Sequence, residues 1–258
     1  MRWLLNSVST PLLGVLMVGV TTAAALAVFS RVRHRLTDPP EDNDMTAGML
    51  GIVGAVYGIV LAFVIVTVWQ NFDHASDTTK NEAAALAQLT RDVRVLDDGD
   101  QARIDGAVAS YVHAVTTDEW TTMRHGRASP RAEVALDRLG TALEHTTPGG
   151  GSQPTWYEEA VHSFNEVVHS RHDRLEAAQH QLPAAFHVLL FGGAALPIWL
   201  AMLLDVRRRA VHTAVVAVVA VLISYSLFLA VILDHPFSGS VSVSRSPFER
   251  GALAHLPG

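Results

Sequence analysis

The chain has 258 residues, of which 49% are hydrophobic and 17% are charged, whereas about 25% of a typical soluble domain is charged. A net charge of -6 argues against a nucleic-acid-binding protein, because such proteins carry basic surfaces. The absence of cysteine excludes disulfides, thiolate metal sites, iron–sulfur clusters and cysteine nucleophiles.

Four apolar segments have the length of membrane-spanning helices, which need about 20 mostly apolar residues. They are residues 10–30, 46–68, 184–204 and 211–233. The first segment could instead be a signal peptide, but the arginines that follow it at once are typical of a span that stops transfer. We therefore predict an integral protein of the cell membrane with four transmembrane helices.

Arginines in the two short loops predict the orientation. The first loop carries Arg31, Arg33 and Arg35, and the second carries Arg207, Arg208 and Arg209. Short cytoplasmic loops are enriched in Lys and Arg, so both loops should be cytoplasmic. The segment between the second and third spans would then be extracytoplasmic.

The second span has two distinct faces. One face contains the glycines Gly48, Gly51, Gly54 and Gly58, and small residues of this kind allow close helix packing in membranes. The opposite face carries an apolar stripe at 4-3-4-3 spacing, formed by Ile52, Val56, Ile59, Phe63 and Val66. The stripe could face lipid, or it could line a hydrophobic constriction in an oligomer that gates by dewetting.

The segment between the second and third spans has soluble composition and strong helix signals. An apolar seam continues the second span without a break to about Asp97, at Phe72, Ala75, Thr79, Glu82, Leu86, Leu89, Val93 and Leu96. A second seam precedes the third span, at Tyr157, Val161, Phe164, Val168, Arg171, Leu175, Ala178 and Leu182. Two shorter amphipathic helices lie between them, around Ile104–Val115 and Ala132–Leu143.

These patterns predict an all-α protein in three parts. Residues 1–69 hold the first two spans with their arginine-rich loop, residues 70–183 form a helical extramembrane bundle, and residues 184–258 hold the last two spans with an extended tail. Each long seam of the bundle contains one charged residue, Glu82 or Arg171, at equal distance from the membrane. A charge that faces a core costs several kcal/mol unless it is paired, so we predict a Glu82–Arg171 ion pair, with solvent exposure of one or both as the alternative.

Catalytic motifs are absent from the sequence. Glu159-His162 and Glu166-His169 have the Glu-x-x-His spacing of di-iron bundles, but those sites take each motif from a different helix. A solvated polar face is the favoured interpretation of this helix. We therefore expect no enzyme activity, no catalytic residue, no cofactor and no metal site.

The tail that follows the fourth span has a distinctive sequence, with Asp234, His235, Pro236, Phe237 and Gly239 at its start. Pro236 and Gly239 should end the helix. The tail then alternates polar and apolar residues from Ser240 to Ser244 and reaches Pro247-Phe248. An extended segment with one apolar face is expected to dock on the protein's own surface.

Several of these features together resemble a known family, the bacterial bestrophin-like domain proteins, which are membrane proteins of unknown function. The resemblance covers nearly the whole chain, and its most specific part is Leu233-Asp234-His235-Pro236-Phe237-Ser238-Gly239 followed by Pro247-Phe248. The other matching residues are Gly54, Tyr57-Gly58, Trp69, Asn81-Glu82-Ala83, Leu89, Arg91, Arg171, Leu196-Pro197 and Trp199.

True bestrophins are pentameric anion channels with four spans per subunit, and their second span lines the pore. The resemblance thus implies a homo-oligomer in the lipid bilayer, small ions as permeant species, and the stripe from Ile52 to Val66 as the neck of the pore. Bestrophins have their helical domain in the cytosol, whereas the arginines here predict an extracytoplasmic bundle. The alternative function is a non-conducting membrane sensor or scaffold, monomeric or dimeric, that binds a partner through the bundle.

Overall fold

A computed structural model describes residues 10–35, 43–180, 182–204, 206–239 and 241–256. Throughout these ranges the regular secondary structure is helical. The elements are α1 (Thr10–Arg35), α2 (Asn43–Asp92), a 3₁₀ turn (Val93–Val95), α3 (Asp98–Ala114), a π-helical turn (Val115–Glu119), α4 (Trp120–Met123), α5 (Pro130–Glu144), α6 (Gln153–Gln179), α7 (Ala184–Leu203), α8 (Arg209–Leu233) and two 3₁₀ turns (Ser246–Glu249 and Gly251–His255).

Within the described ranges, four helical segments are long and apolar enough to cross a membrane, namely Pro11–Arg31, Asn43–Val95, Ala184–Leu203 and Arg209–Leu233. They coincide with the four predicted spans. The prediction of an all-α integral membrane protein is therefore confirmed. The second span and the helix that follows it are one continuous helix, α2, as the uninterrupted apolar seam predicted.

The described residues divide into two compact units. The membrane unit lies within residues 3–70 and 181–234, and the bundle unit contains residues 71–180 and 235–258. The tail after the fourth span therefore belongs to the bundle unit, whereas the sequence grouped it with the last two spans.

Helices of the membrane unit approach each other closely at two glycines. A Cβ added to Gly14 in α1 would lie 2.5 Å from the ring of Phe228 in α8, and one added to Gly193 in α7 would lie 3.0 Å from the ring of Tyr57 in α2. Thr21 donates a hydrogen bond of 2.7 Å to Ser224, again between α1 and α8. Small residues and paired hydroxyls thus hold these spans together, as is usual where lipid removes the hydrophobic driving force.

Apolar side chains from every helix of the bundle unit form its core. The α2 seam is buried as predicted, with Ala75, Leu86, Leu89 and Val93 fully inaccessible to solvent. The two shorter amphipathic helices are also found, as α3 and α5. They bury their predicted faces, namely Ile104, Val108, Tyr111 and Val115 on one side, and Ala132, Leu136, Leu139 and Leu143 on the other.

The buried face of α6 differs from its predicted seam by one residue. Its buried residues are Ala160, Ser163, Val167, Ser170, Arg171, Arg174 and Ala178. The sequence pattern instead selected the larger apolar side chains, of which Val168 is 41% exposed. The buried face instead contains several small residues, and one residue corresponds to a rotation of about 100° around a helix axis. The rotation brings Arg174, which was not a predicted site residue, to the centre of the core.

Candidate functional site

The predicted apolar stripe of α2 lies on the outside of the membrane unit. Ile52, Val56, Ile59, Phe63 and Val66 are each between 51% and 70% exposed. The buried side chains of the same span, Tyr57, Leu61, Val64 and Val68, follow the same 4-3-4 spacing five residues further on. Five residues correspond to about 140° around the helix, so the stripe points away from the face that packs on the chain's own spans.

The predicted glycine face of α2 does not pack closely against another helix within the described part of the chain. A Cβ built on Gly48, Gly51, Gly54 or Gly58 would have no other atom within 4 Å. Gly54 and Gly58 instead line an apolar groove of about 420 Å³, together with residues of α7 and α8 that include Pro197 and Leu222. Among the described residues of the membrane unit, close packing at glycine is found at Gly14 and Gly193 and not at this face.

A network of charged side chains occupies the core of the bundle unit. Arg174 of α6 is fully buried, and its Nε and Nη2 donate to the two carboxylate oxygens of Glu82 at 2.6 and 3.1 Å. Nη2 also donates to Glu119 at 2.8 Å. Glu82 accepts a further hydrogen bond of 2.6 Å from the Tyr111 hydroxyl. Each of these groups is paired, which is the condition under which charges are tolerated in a core.

Arg171 extends the network towards the surface. Its Nη2 and Nε donate to Glu119 at 2.8 and 3.3 Å, and its Nη1 donates to the half-exposed Glu133 at 2.5 Å. The predicted Glu82–Arg171 pair is thus corrected: Glu82 pairs with Arg174, and Arg171 pairs with Glu119 and Glu133. Both predicted residues are in one network, but the one-residue rotation of α6 gives Arg174 the place opposite Glu82.

Electrostatics of the network agree with its geometry. Burial alone would raise the pKa of the Glu119 carboxyl, but the charges and hydrogen bonds of Arg174 and Arg171 outweigh burial and hold the pKa below its usual value. Burial, with the nearby Glu82 carboxylate, raises the pKa of Tyr111. Glu119 is therefore ionised and Tyr111 neutral at neutral pH, so Tyr111 acts as a hydrogen-bond donor.

The sequence prediction missed Glu119, because Glu119 lies in a π-helical turn. The turn Val115–Glu119 contains wider backbone hydrogen bonding than an α-helix, so the residues after it leave the 3-4 periodicity of α3. The Glu119 carboxylate also accepts the Ser129 backbone N–H, at 3.2 Å, just before α5 begins. The signal that was available is a carboxylate directly before Trp120, a residue that is itself buried.

The residues of the family-like motif have structural roles in their respective units. In the membrane unit, one carboxylate oxygen of Asp234 accepts the Leu182 backbone N–H at 2.9 Å, and the other lies 3.8 Å from His187 Nε2. Gly239 has a φ of +81°, which favours glycine, and His235 is buried. The Pro236 carbonyl accepts the Val243 N–H at 2.8 Å, which folds the tail back on itself.

The tail covers the charge network of the bundle unit. Phe237 and Phe248 pack edge-to-face against Trp120. Their ring centroids lie 5.7 and 6.1 Å, respectively, from the centroid of the Trp120 ring. The Arg174 guanidinium lies 5.7 Å from the Trp120 ring and 5.9 Å from the Phe248 ring. The tail was predicted to dock on the protein's own surface. It does so through Val243 and Phe248, whereas Val241 is exposed.

Neither unit contains a recognisable metal centre in the residues that the structure describes, because no three His, Asp or Glu side chains converge there. The histidines and glutamates of α6 that have di-iron spacing, Glu159, His162, Glu166 and His169, are exposed to solvent.

Known structures share this fold. A variant of a bacterial bestrophin homolog from Klebsiella pneumoniae superposes with a TM-score of 0.68 at 16% identity, covering 96% of this chain and 98% of the other. A second variant of that homolog gives 0.67 at 14% identity, covering 92% and 94%. A structure described only as a membrane protein gives 0.64 at 15% identity, covering 93% and 94%.

Among curated proteins, none matches this sequence. The sequence model of the bestrophin-like domain matches residues 16–248, which is most of the chain. With this match and the shared fold, the chain belongs to the bestrophin-like domain family of membrane proteins.

Proposed function

We propose that the protein is an oligomeric anion channel in which the α2 stripe from Ile52 to Val66 lines a hydrophobic constriction. The observation that carries this proposal is the continuous apolar stripe that points away from the chain's own helices. A ring of copies with α2 at the centre would bring equivalent stripes together around an axis. An apolar ring of this kind gates by dewetting, because water leaves a narrow hydrophobic neck.

The proposed pore lies between subunits because two hydroxyl groups inside the membrane unit bond to protein groups of the same chain. Thr21 donates to Ser224, and the Tyr57 hydroxyl donates to the Leu190 carbonyl at 2.9 Å. Both hydrogen bonds connect helices of the membrane unit, so the two hydroxyl groups are poorly placed to solvate an ion. The choice of anions as permeant species rests on the family relationship to true bestrophins.

The first experiment is the mass of the purified protein in a mild detergent or a native nanodisc. A ring of several chains supports a central pore, and anion efflux from proteoliposomes then tests conduction. Phe63→Ala should increase the efflux severalfold, because a smaller side chain widens the constriction and weakens dewetting. Val188→Ala is the matched control, since Val188 is an equally exposed apolar residue of α7 outside the stripe.

A monomer or dimer that conducts no ions would contradict the channel proposal. That result would instead favour a sensor or scaffold that binds a partner through the bundle. Equal efflux through Phe63→Ala and the unchanged protein would contradict the assignment of the stripe as the constriction.

We further propose that the bundle is extracytoplasmic, on the arginine distribution of the two short loops. Because the chain has no cysteine, a single exposed position such as Arg127→Cys gives an unambiguous label. A membrane-impermeant maleimide applied to intact cells should then modify the protein. Protection in intact cells together with labelling after lysis would contradict this orientation and agree with that of true bestrophins.

A further inference from the structure

A second groove lies in the bundle unit, between α3 and α5, away from the buried charge network. Its volume is about 470 Å³, within the range of about 300–1,000 Å³ that small-molecule sites occupy. α3 contributes Arg103, Gly106, Ala107 and Ser110, α5 contributes Arg138, Thr141 and Ala142, and His145 follows directly after α5. In both helices these residues recur at spacings of three, four and seven, which places each set on one helix face.

The groove is lined by cationic side chains and by no carboxylate. Arg103 is fixed at its edge, because its Nη2 contacts Asp100 at 2.7 Å, Thr146 Oγ1 at 3.0 Å and the Ala142 carbonyl at 3.4 Å. Arg138 is exposed and makes no hydrogen bond or ion pair with any residue of the described ranges. An arginine without a partner on a groove wall has all its donors available to an anion.

The residues that form the floor of the groove are small and largely apolar. A Cβ built on Gly106 would meet no atom within 4 Å, so a glycine inside α3 leaves open space there. The hydroxyls of Ser110 and Thr141 donate to the carbonyls of Gly106 and Asp137 in their own helices, each at 2.9 Å. The hydroxyl hydrogens are thus already used, and the arginines are the principal donors that the groove offers.

We propose that this groove binds a small organic anion, whose carboxylate or phosphate group is held by Arg138 and whose apolar body lies over Gly106, Ala107 and Ala142. Arg103, which is paired with Asp100, lies along the same wall. Arginine suits this role because its planar guanidinium binds carboxylate and phosphate in a bidentate manner. The site is independent of the α2 stripe, so it does not depend on the channel proposal.

Phenyl phosphate is a suitable probe, since it combines a dianionic head with a compact apolar body. Its affinity for the full-length protein in detergent is measured by isothermal titration calorimetry. Arg138→Ala should weaken binding by roughly tenfold or more, because it removes the charge-assisted hydrogen bonds. Gly106→Leu, which fills the floor, should weaken it similarly. Arg131→Ala is the matched control, because Arg131 is an arginine of the same helix that is 80% exposed, pairs with Asp118 and does not line the groove.

Two results would overturn the proposal directly: no binding of phenyl phosphate into the millimolar range, or equal affinity for the Arg138→Ala and unchanged proteins. Equal loss of affinity in Arg138→Ala and Arg131→Ala would also overturn it, because general surface charge would then explain binding. Inorganic phosphate that binds as tightly as phenyl phosphate would overturn the role of the apolar floor. If Gly106→Leu does not fold, Arg138→Ala still decides, since Arg138 is an exposed residue.

Discussion

The two halves of α2 have the same apolar spacing and opposite burial. In the membrane half, the stripe from Ile52 to Val66 recurs at intervals of four and three and is exposed along its length. In the bundle half, the seam from Ala75 to Val93 recurs at the same intervals and is fully buried. The period therefore identifies a face that avoids water, and the surroundings decide whether lipid, another subunit or the chain's own core covers it. Mutations in the two halves should consequently have very different effects.

The largest effect is expected where the bundle half contributes to the charge network. Arg174→Ala should reduce the free energy of unfolding by about 3–5 kcal/mol, because Glu82 and Glu119 would be left buried without their common partner. Thermal melting in detergent, followed by circular dichroism, measures the loss. Arg131→Ala, which removes an exposed ion pair, should cost only about 0–1 kcal/mol. Similar melting of the two variants would show that the network is not a stabilising unit.

The comparison of the two halves is tested most directly by matched truncations. Leu86→Ala should cost about 2–5 kcal/mol, since Leu86 is fully buried in the bundle core. Phe63→Ala should change the stability of the single chain by less than about 0.5 kcal/mol, since Phe63 is 70% exposed. A large loss for Phe63→Ala that disappears when the protein is dissociated to monomers would indicate that an oligomer buries the stripe.

A smaller and pH-dependent effect is expected at Glu119. Because its pKa is held below the usual value of about 4.3, its ionic interactions stabilise the fold above that pH and are lost as the pH falls through the lower folded-state value. Glu119→Gln should therefore melt well below the unchanged protein at pH 7, and the difference should shrink below about pH 4. Glu144→Gln removes an exposed carboxylate of α5 and should melt like the unchanged protein at either pH. A constant difference for Glu119→Gln across this range would argue against ionic stabilisation.

The smallest expected effect concerns packing between spans. Gly14→Ala should destabilise the membrane unit by about 1–3 kcal/mol, because its Cβ would overlap the buried Phe228 ring. Gly19→Ala in the same helix is the control, since its Cβ would meet no atom within 4 Å. The melting temperatures of the two variants in one detergent give the comparison. If both behave alike, the α1–α8 contact is looser than the structure indicates.

Sequence patterns predicted those features that depend on long, regular periodicity. The four spans, the continuous α2 helix and the buried faces of α3 and α5 were all read from apolar spacing. The partner of Glu82 was not predicted, because the pattern gave weight to large side chains such as Phe164, whereas the smaller Ala160 and Ser163 are buried residues of α6. Glu119 was missed because a π-helical turn interrupts the period that would have placed it on the buried face.

The glycines show the same limit in the membrane. Four glycines on α2 formed the most conspicuous pattern, yet the close contacts lie at Gly14 and Gly193 on other helices. A contact needs a large partner opposite the small residue, and the partners here, Phe228 and Tyr57, lie on other helices. One-dimensional spacing along a single helix contains no information about that partner.

The position of the tail in the chain has a consequence for biosynthesis. Phe237 and Phe248 complete the packing around Trp120 and Arg174, but the ribosome makes them only after all four spans. Domains commonly fold from the N-terminal side during synthesis, whereas this bundle lacks its cover until the last span has been translated. The packing around Trp120 and Arg174 can therefore be completed only after the fourth span has been translated.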